Sequence, residues 1–207
     1  DCRGLPPRET IPSEPRVLFL GRMDYGANVD AVRFLIDSVL PAVGSDAHVE
    51  VVGANPPGWL ATRAGGAAKR VDVVGYVEET RPYLDRARLM VVPLRVGGGT
   101  RLKILEALAR GLPVVTTTLG CEGLGLVDGR DALIADEPEA LAAAIDRLLE
   151  DDSLCASLAQ AGRRTVEERF DWRSIAAEAE RSLERLAAQA VATPRDGTAR
   201  RPSAAGS

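Results

Sequence analysis

Residues 97–106 read GGGTRLKILE, and in this stretch glycine, cation and carboxylate fall close enough to share one ligand. Gly97, Gly98 and Gly99 let a backbone approach a phosphate closely, and the amides of a helix that starts just beyond them would point at it. Thr100 stands where an N-cap is expected, and Arg101 and Lys103 add positive charge. Lys103 is one of only two lysines in the chain, the other being Lys69. Glu106 lies one helical turn after Lys103. A carboxylate there is badly placed for a phosphate and well placed to accept from sugar hydroxyls. The set describes a site for a nucleoside diphosphate. The plainer reading is a tight glycine turn followed by a solvated Lys103–Glu106 helix pair, worth a few tenths of a kcal/mol.

These residues need a frame that aims them. Leu89 to Val92 is an apolar run of the kind that forms a strand buried on both faces. A helix from Arg101 to Arg110 places Leu102, Ile104, Leu105 and Leu108 on its buried side; Gly111 suits its end, and Pro113 stops it. Val114 to Thr118 reads as the next strand, so the unit is βαβ with parallel strands. The same alternation fills the chain. Strands are expected at Val17 to Leu20, Val49 to Val52 and Val71 to Val74, with a last short one at Leu133 to Ala135. Helices are expected from an Asn28 or Asp30 cap to Val39, where Pro41 ends it, then around Trp59 to Ala64 and near Thr80 to Arg86. Three more follow at Pro138 to Leu149, Ser153 to Arg169 and Ser174 to Ala190. The pattern predicts an α/β fold: a Rossmann-like open parallel sheet with helices on both faces and a helical C-terminal extension. Gly21-Arg22, Gly53, Gly75 and the Gly97 loop all follow strands, so they line the carboxyl edge, where such sheets bind ligands. Neither GxGxxG nor GxxxxGK[ST] is present in the required setting.

Composition narrows the function. The chain has 207 residues, 27% of them charged, with a formal net charge of −4. That excludes the strongly basic footprint of a nucleic-acid binder. No run of about 18 apolar residues suggests a membrane span. Cys2, Cys121 and Cys155 are an odd set without CxxC spacing, which argues against a disulfide framework or a zinc site and suits a reducing, cytoplasmic setting. The single histidine, His48, precedes an apolar strand and has no obvious catalytic partners. Residues 1–15 carry four prolines and read as a linker, residues 16–190 as the domain, and 191–207 as a disordered tail. The opening Asp1 and the linker suggest the later part of a longer polypeptide. Arginine in preference to lysine, with abundant alanine, suits a GC-rich bacterial source.

GGGTRLKILEALARGLPVVTTTLGCEGL, together with FLGRMDYGANVDAVRFL, VVGYVEE and FDWRSIAAEAERSLERL, resembles the C-terminal half of group 1 glycosyltransferases of the GT-B fold. The resemblance runs from about Arg16 to Leu186. It implies a domain that holds a nucleoside-diphosphate-sugar donor as co-substrate, with no further cofactor and no catalytic metal. A carbohydrate or lipid-linked acceptor is then held by a separate N-terminal domain. Any membrane association, at the inner face, would come through that other part.

The resemblance also assigns residues. Glu106 matches the second of two glutamates in the family pattern and implies a ribose contact. The first falls at Gly98, so the carboxylate contact to the donor sugar is missing here. Arg22 matches the arginine that faces the donor phosphates. The family lysine that follows it has no match, since Ala27 and Asn28 occupy that region; Arg101 or Lys103 would supply the charge. Gly75, Tyr76 and Val77 match the loop whose backbone reads the base. The donor set is therefore Gly21, Arg22, Gly53, Gly75, Tyr76, Val77, Gly97, Gly98, Gly99, Thr100, Arg101, Leu102, Lys103 and Glu106, with Arg22, Arg101 and Lys103 as the catalytic cations. Two alternatives share the cleft: a GT-B-like sugar-nucleotide epimerase, which needs acid/base groups near the sugar, and a nucleotide-sugar-binding module without activity.

Overall fold

The structure, a computed structural model, describes residues 2–65 and 70–192. Lys69 lies outside them. Six parallel strands form one sheet: β1 (Arg16–Leu20), β2 (His48–Val52), β3 (Val71–Gly75), β4 (Leu89–Val92), β5 (Val114–Thr116) and β6 (Leu133–Ile134). Every residue of β4 is buried, as is every residue of β5, which is why β4 reads as an unbroken apolar run and β5 departs from one only at Thr116, whose hydroxyl donates to the Val92 carbonyl. The strand order is β3-β2-β1-β4-β5-β6, so the direction of travel reverses between β1 and β4. Right-handed crossovers on either side of that reversal send helices to opposite faces of the sheet and leave a crevice beyond the carboxyl ends of β1 and β4.

The helices are α1 (Gly26–Phe34), α2 (Gly58–Gly65), α3 (Arg81–Arg86), α4 (Leu102–Ala109), α5 (Pro138–Glu150), α6 (Asp152–Arg169) and α7 (Trp172–Ala192). All correspond to expected segments, with local differences. α1 begins at Gly26, ahead of the expected cap, so Asn28 is inside its first turn. It continues through a wide turn at Leu35–Val39 into a 3-10 turn at Leu40–Ala42, which accommodates Pro41 near its start. α4 begins at Leu102 with Arg101 as N-cap, not Thr100, and neither side chain caps it. Leu102 overhangs the sheet edge at 66% exposure, contrary to its expected place in the core, while Ile104 and Leu108 are fully buried. The end of α4 follows expectation: Gly111 has φ +67°, its N–H donates to the Leu108 carbonyl, and Leu112 N–H donates to the Ala107 carbonyl.

The proline-rich opening is packed. Cys2 is buried and its N–H donates to Asp171 Oδ2 at 2.8 Å. Four arginines tie the segment down through carbonyl oxygens. Arg8 reaches Gly111 (3.0 Å) and Ala87, Arg110 reaches Pro6, Arg163 reaches Leu5 (2.9 Å), and Arg88 reaches Pro12 (3.1 Å). Each guanidinium is a planar fork of donors, so one side chain satisfies several carbonyls at once. The expected linker is thus a strap beside the starts of the strands, at the edge opposite the crevice. The three cysteines are free thiols. α7 forms a unit of its own, in which Glu178 pairs with Arg181 and Arg185. It runs to Ala192; the rest of the expected tail lies outside the described residues.

Candidate functional site

The ladder of the sheet continues past the strand ends. Gly21 N–H donates to the Val52 carbonyl (2.9 Å), Met23 N–H to Ala54 (2.8 Å) and Gly53 N–H to Gly75 (2.8 Å). A Cβ on Gly53 would lie 1.9 Å from the Gly21 carbonyl oxygen, so only glycine fits there. These crossings form the floor of a cleft of about 620 Å³. Gly21, Arg22, Gly53 and Ala54 line one side, Tyr76, Val77 and Thr80 a second, and Leu102, Lys103 and Glu106 a third. Eight of the fourteen expected donor residues meet here: Gly21, Arg22, Gly53, Tyr76, Val77, Leu102, Lys103 and Glu106.

The remaining six are not on the cleft wall. Gly75 lies beneath it as a ladder acceptor. Gly97, Gly98, Gly99 and Thr100 form a loop against the first turn of α1. Tyr25 Oη sits 3.4 Å from both the Gly98 N–H and its carbonyl oxygen. A Cβ on Gly97 would come within 2.8 Å of Ala27 Cβ, and Gly97 and Gly99 both have positive φ.

Arg101 departs furthest from expectation. It is 5% exposed, and its guanidinium donates to the carbonyls of Gly98 (3.0 Å), Gly97 (3.3 Å) and Leu119 (3.1 Å). The charge expected beside a phosphate is turned under the loop, where backbone dipoles satisfy it. Its Nε has no hydrogen-bond partner among the described residues.

Lys103 takes the opposite course. Its Nζ donates to Asn28 Oδ1 at 2.9 Å and lies 5.5 Å from the Phe19 ring centroid. Burial, and then the Arg101 charge, push its pKa down to about 8. Lys103 does not pair with Glu106, as the plainer reading required. Glu106 Oε1 instead accepts from Thr80 Oγ1 at 3.1 Å. Arg22 is exposed on the rim and pairs with Asp24, which raises its pKa and lowers that of Asp24. Any anion that binds Arg22 competes with that carboxylate.

Asn28 and Thr80 lie outside the expected donor set, and both stand at expected helix starts. Asn28 is 7% exposed and bridges two elements: its Nδ2 donates to the Arg22 carbonyl (2.8 Å) while its Oδ1 accepts from Lys103. Thr80 is the N-cap residue of α3, yet its hydroxyl does not cap the helix. His48 opens β2, at the edge opposite the cleft, and pairs with Asp72 at 2.7 Å. Of the acid/base groups that an epimerase would need, carboxylates or a histidine, His48 is therefore away from this cleft, and the carboxylate among the lining residues is Glu106. Among the described residues no group of three or more His, Cys, Asp or Glu side chains is arranged to hold a metal, and no helix is long and apolar enough to cross a membrane.

Comparison with known proteins gives a consistent picture. Residues 14–151 match the family model described as glycosyl transferases group 1. The phosphatidyl-myo-inositol mannosyltransferase of Mycolicibacterium smegmatis is 30% identical over 201 residues, 94% of this chain and 52% of the relative. The chain thus spans about half the length of that curated relative. Among solved structures, Anabaena Alr3699/HepE in complex with UDP and glucose superposes with a TM-score of 0.73 at 19% identity, over 89% of this chain and 55% of that one. The C-terminal domain of a group 1 family glycosyl transferase, LpcC, from Francisella tularensis superposes at 0.66 with 18% identity, over 83% of this chain and 98% of that one. At these identities the superpositions establish the fold.

Proposed function

This chain belongs to the group 1 glycosyltransferases, and from that premise we propose that it is the donor half of an enzyme that moves a sugar from a nucleoside-diphosphate sugar to an acceptor hydroxyl. The observation that carries the proposal is the convergence of Lys103 from α4, the Arg22 rim from β1 and the Glu106 carboxylate on one cleft at the strand-order reversal. A diphosphate placed toward Lys103 lies close to the start of α4. The first bonds within that helix are those of the Ile104 and Leu105 N–H groups to the Arg101 carbonyl, so the amides before them are the helix's orphan donors. Glu106 then faces the ribose hydroxyls, and the base extends toward Tyr76 and Val77. Alr3699/HepE, which shares this fold, is solved in complex with UDP and glucose, and this supports the choice of ligand class.

Chemistry in this arrangement is electrostatic. When the bond between the sugar and the diphosphate breaks, negative charge grows on the leaving phosphate. Lys103 and the helix amides are fixed before the reaction, so they stabilise that charge with little reorganisation. No metal is needed in this scheme, because protein cations supply the neutralisation. The acceptor lies outside this cleft, in a second domain of the kind that the greater length of the relatives would accommodate.

Calorimetric titration with UDP, UMP, GDP and GMP tests the proposal. The expected result is binding of at least one nucleoside diphosphate, more tightly than the matching monophosphate. The absence of binding by both diphosphates, or equal affinity for the diphosphate that binds and its matching monophosphate, would overturn it.

A further inference from the structure

The geometry points to Asn28 as a positioning residue that holds the Lys103 ammonium in the cleft and couples it to the loop after β1. This rests on the donor-binding reading above, and it names a residue which that reading does not use. Asn28 is almost fully buried, and both ends of its amide are engaged: Nδ2 with the Arg22 carbonyl at 2.8 Å, Oδ1 with Lys103 Nζ at 2.9 Å. The side chain packs over Gly21 in the space that a side chain there would fill, since a Cβ on Gly21 would sit 2.8 Å from both its Cγ and its Nδ2. The amide therefore has one orientation. In it, an acceptor meets the ammonium and a donor meets the loop that carries Arg22. Reversing the amide would set donor against donor at Lys103 and acceptor against acceptor at Arg22.

Lys103 depends on this contact. Burial removes water from its ammonium and Arg101, two residues before it, repels it; the face of the Phe19 ring, its centroid 5.5 Å from Nζ, offsets only part of that cost. The other ionisable groups lining the cleft are Arg22, already paired with Asp24 in the loop after β1, Tyr76 after β3, and Glu106 on α4, which is bonded to Thr80. Asn28 from α1 is the group whose oxygen accepts directly from Nζ. An ammonium that keeps two further N–H donors while one is anchored can present them to a phosphate without first ordering a flexible side chain.

The test uses the whole chain. Lys69 and Lys103 are its only lysines, so selective ¹³C labelling of the lysine ε-carbons gives two signals, assigned by Lys69→Arg. In the native protein the Lys103 signal should titrate near pH 8, against an ordinary lysine value of 10.5. In Asn28→Ala its midpoint should fall further, because the charged form loses its acceptor, and UDP affinity should drop roughly tenfold with uridine affinity unchanged. In a Lys103→Ala background the same substitution should cost no further UDP affinity, since Asn28 acts through Lys103. Asn28→Ser, whose hydroxyl cannot span both partners, replaces the alanine variant if the latter does not fold. A native midpoint near 10.5, an unmoved midpoint in the Asn28 variant, or multiplicative losses in the double variant would each overturn the assignment. Failure of the native protein to bind UDP or GDP would overturn the donor reading instead, and the lysine titration would still judge the Asn28–Lys103 contact.

Discussion

Glu106 offers the sharpest separation between a ligand group and an ordinary surface residue. Its carboxylate is half-buried on α4, one oxygen accepts from Thr80 Oγ1 at 3.1 Å, and the side chain lines the cleft beside Lys103. Substitution by glutamine keeps an acceptor for Thr80 and nearly the same volume. A glutamate whose work is only local should therefore cost less than about 0.5 kcal/mol in stability when replaced. If the second oxygen accepts from ribose hydroxyls, the variant trades an ionised acceptor for an amide NH₂. Hydrogen bonds to charged groups contribute about 1.5–3 kcal/mol, so UDP affinity should fall roughly ten- to hundredfold in Glu106→Gln. Thr80→Val is the internal control. It removes the hydroxyl that orients the carboxylate but leaves the charge, and it should weaken UDP by only about 1 kcal/mol. Titration calorimetry at fixed salt measures both, with urea denaturation of the same samples reporting stability. Unchanged UDP affinity in Glu106→Gln at unchanged stability would refute the ribose contact and return Glu106 to the role of a partner for Thr80.

The other substitutions divide fold from ligand. Arg101→Ala should destabilise the chain by about 2–4 kcal/mol in denaturant unfolding, because the carbonyls of Gly97, Gly98 and Leu119 lose their buried donor. Arg101→Lys should recover only part of this, since an ammonium lacks the planar fork. Gly53→Ala should cost more than about 3 kcal/mol, because its Cβ would overlap the Gly21 carbonyl at 1.9 Å. Gly75→Ala meets no atom within 4 Å but has φ +82°, so only the backbone term of about 1–2 kcal/mol remains; equal losses in the two would show that the crossing at Gly53 yields. Lys103 gives a pH signature of opposite signs. Its folded pKa of about 8 lies below the ordinary 10.5, so between those values the unfolded chain binds more protons and stability gained from this group rises with pH. UDP affinity should fall over the same interval as the ammonium is lost. The stability term is read as native minus Lys103→Met, because the raised pKa values of the Cys2, Cys121 and Cys155 thiols act in the opposite sense above pH 9. A UDP affinity that does not change between pH 7.5 and 9.5 would remove Lys103 from the site.

The fold was legible because its signals are local and repeated. Apolar runs closed by glycine marked the strands, and the helical stretches kept their spacing; even the adjacency of β1 and β4 follows from the crossover rules. The side chains of the site were less legible, and the reason is specific. Asn28, Thr80 and Thr100 are residue types that cap helices, and each precedes or opens a helical pattern. None of the three caps by its side chain. Asn28 reaches Lys103 and Thr80 reaches Glu106, both across the cleft from another element. Capping is a contact over three residues and can be read from spacing, whereas these bonds join positions 75 and 26 residues apart. Only the folded sheet brings those partners together.

Arg101 and Lys103 show how two neighbouring cations come to do different work. Gly97 presses on Ala27, and Tyr25 stands at Gly98, so the first turn of α1 is closed against the glycine loop. Ala27 is 5% exposed, and its short, uncharged side chain ends against that loop. A cation at the point where the loops after β1 and β4 meet must therefore arrive from the other side. Lys103, in the first turn of α4, is placed to do that, and its ammonium ends on Asn28, one residue from Ala27. A lysine reaches that point only if the glycine loop leading into α4 holds its shape. Three backbone carbonyls bound by one buried guanidinium supply that constraint, since glycines contribute none of their own. Arg101 fixes the loop, Lys103 presents the charge, and neither substitution should reproduce the other: loss of Arg101 should appear first in stability, loss of Lys103 first in diphosphate affinity.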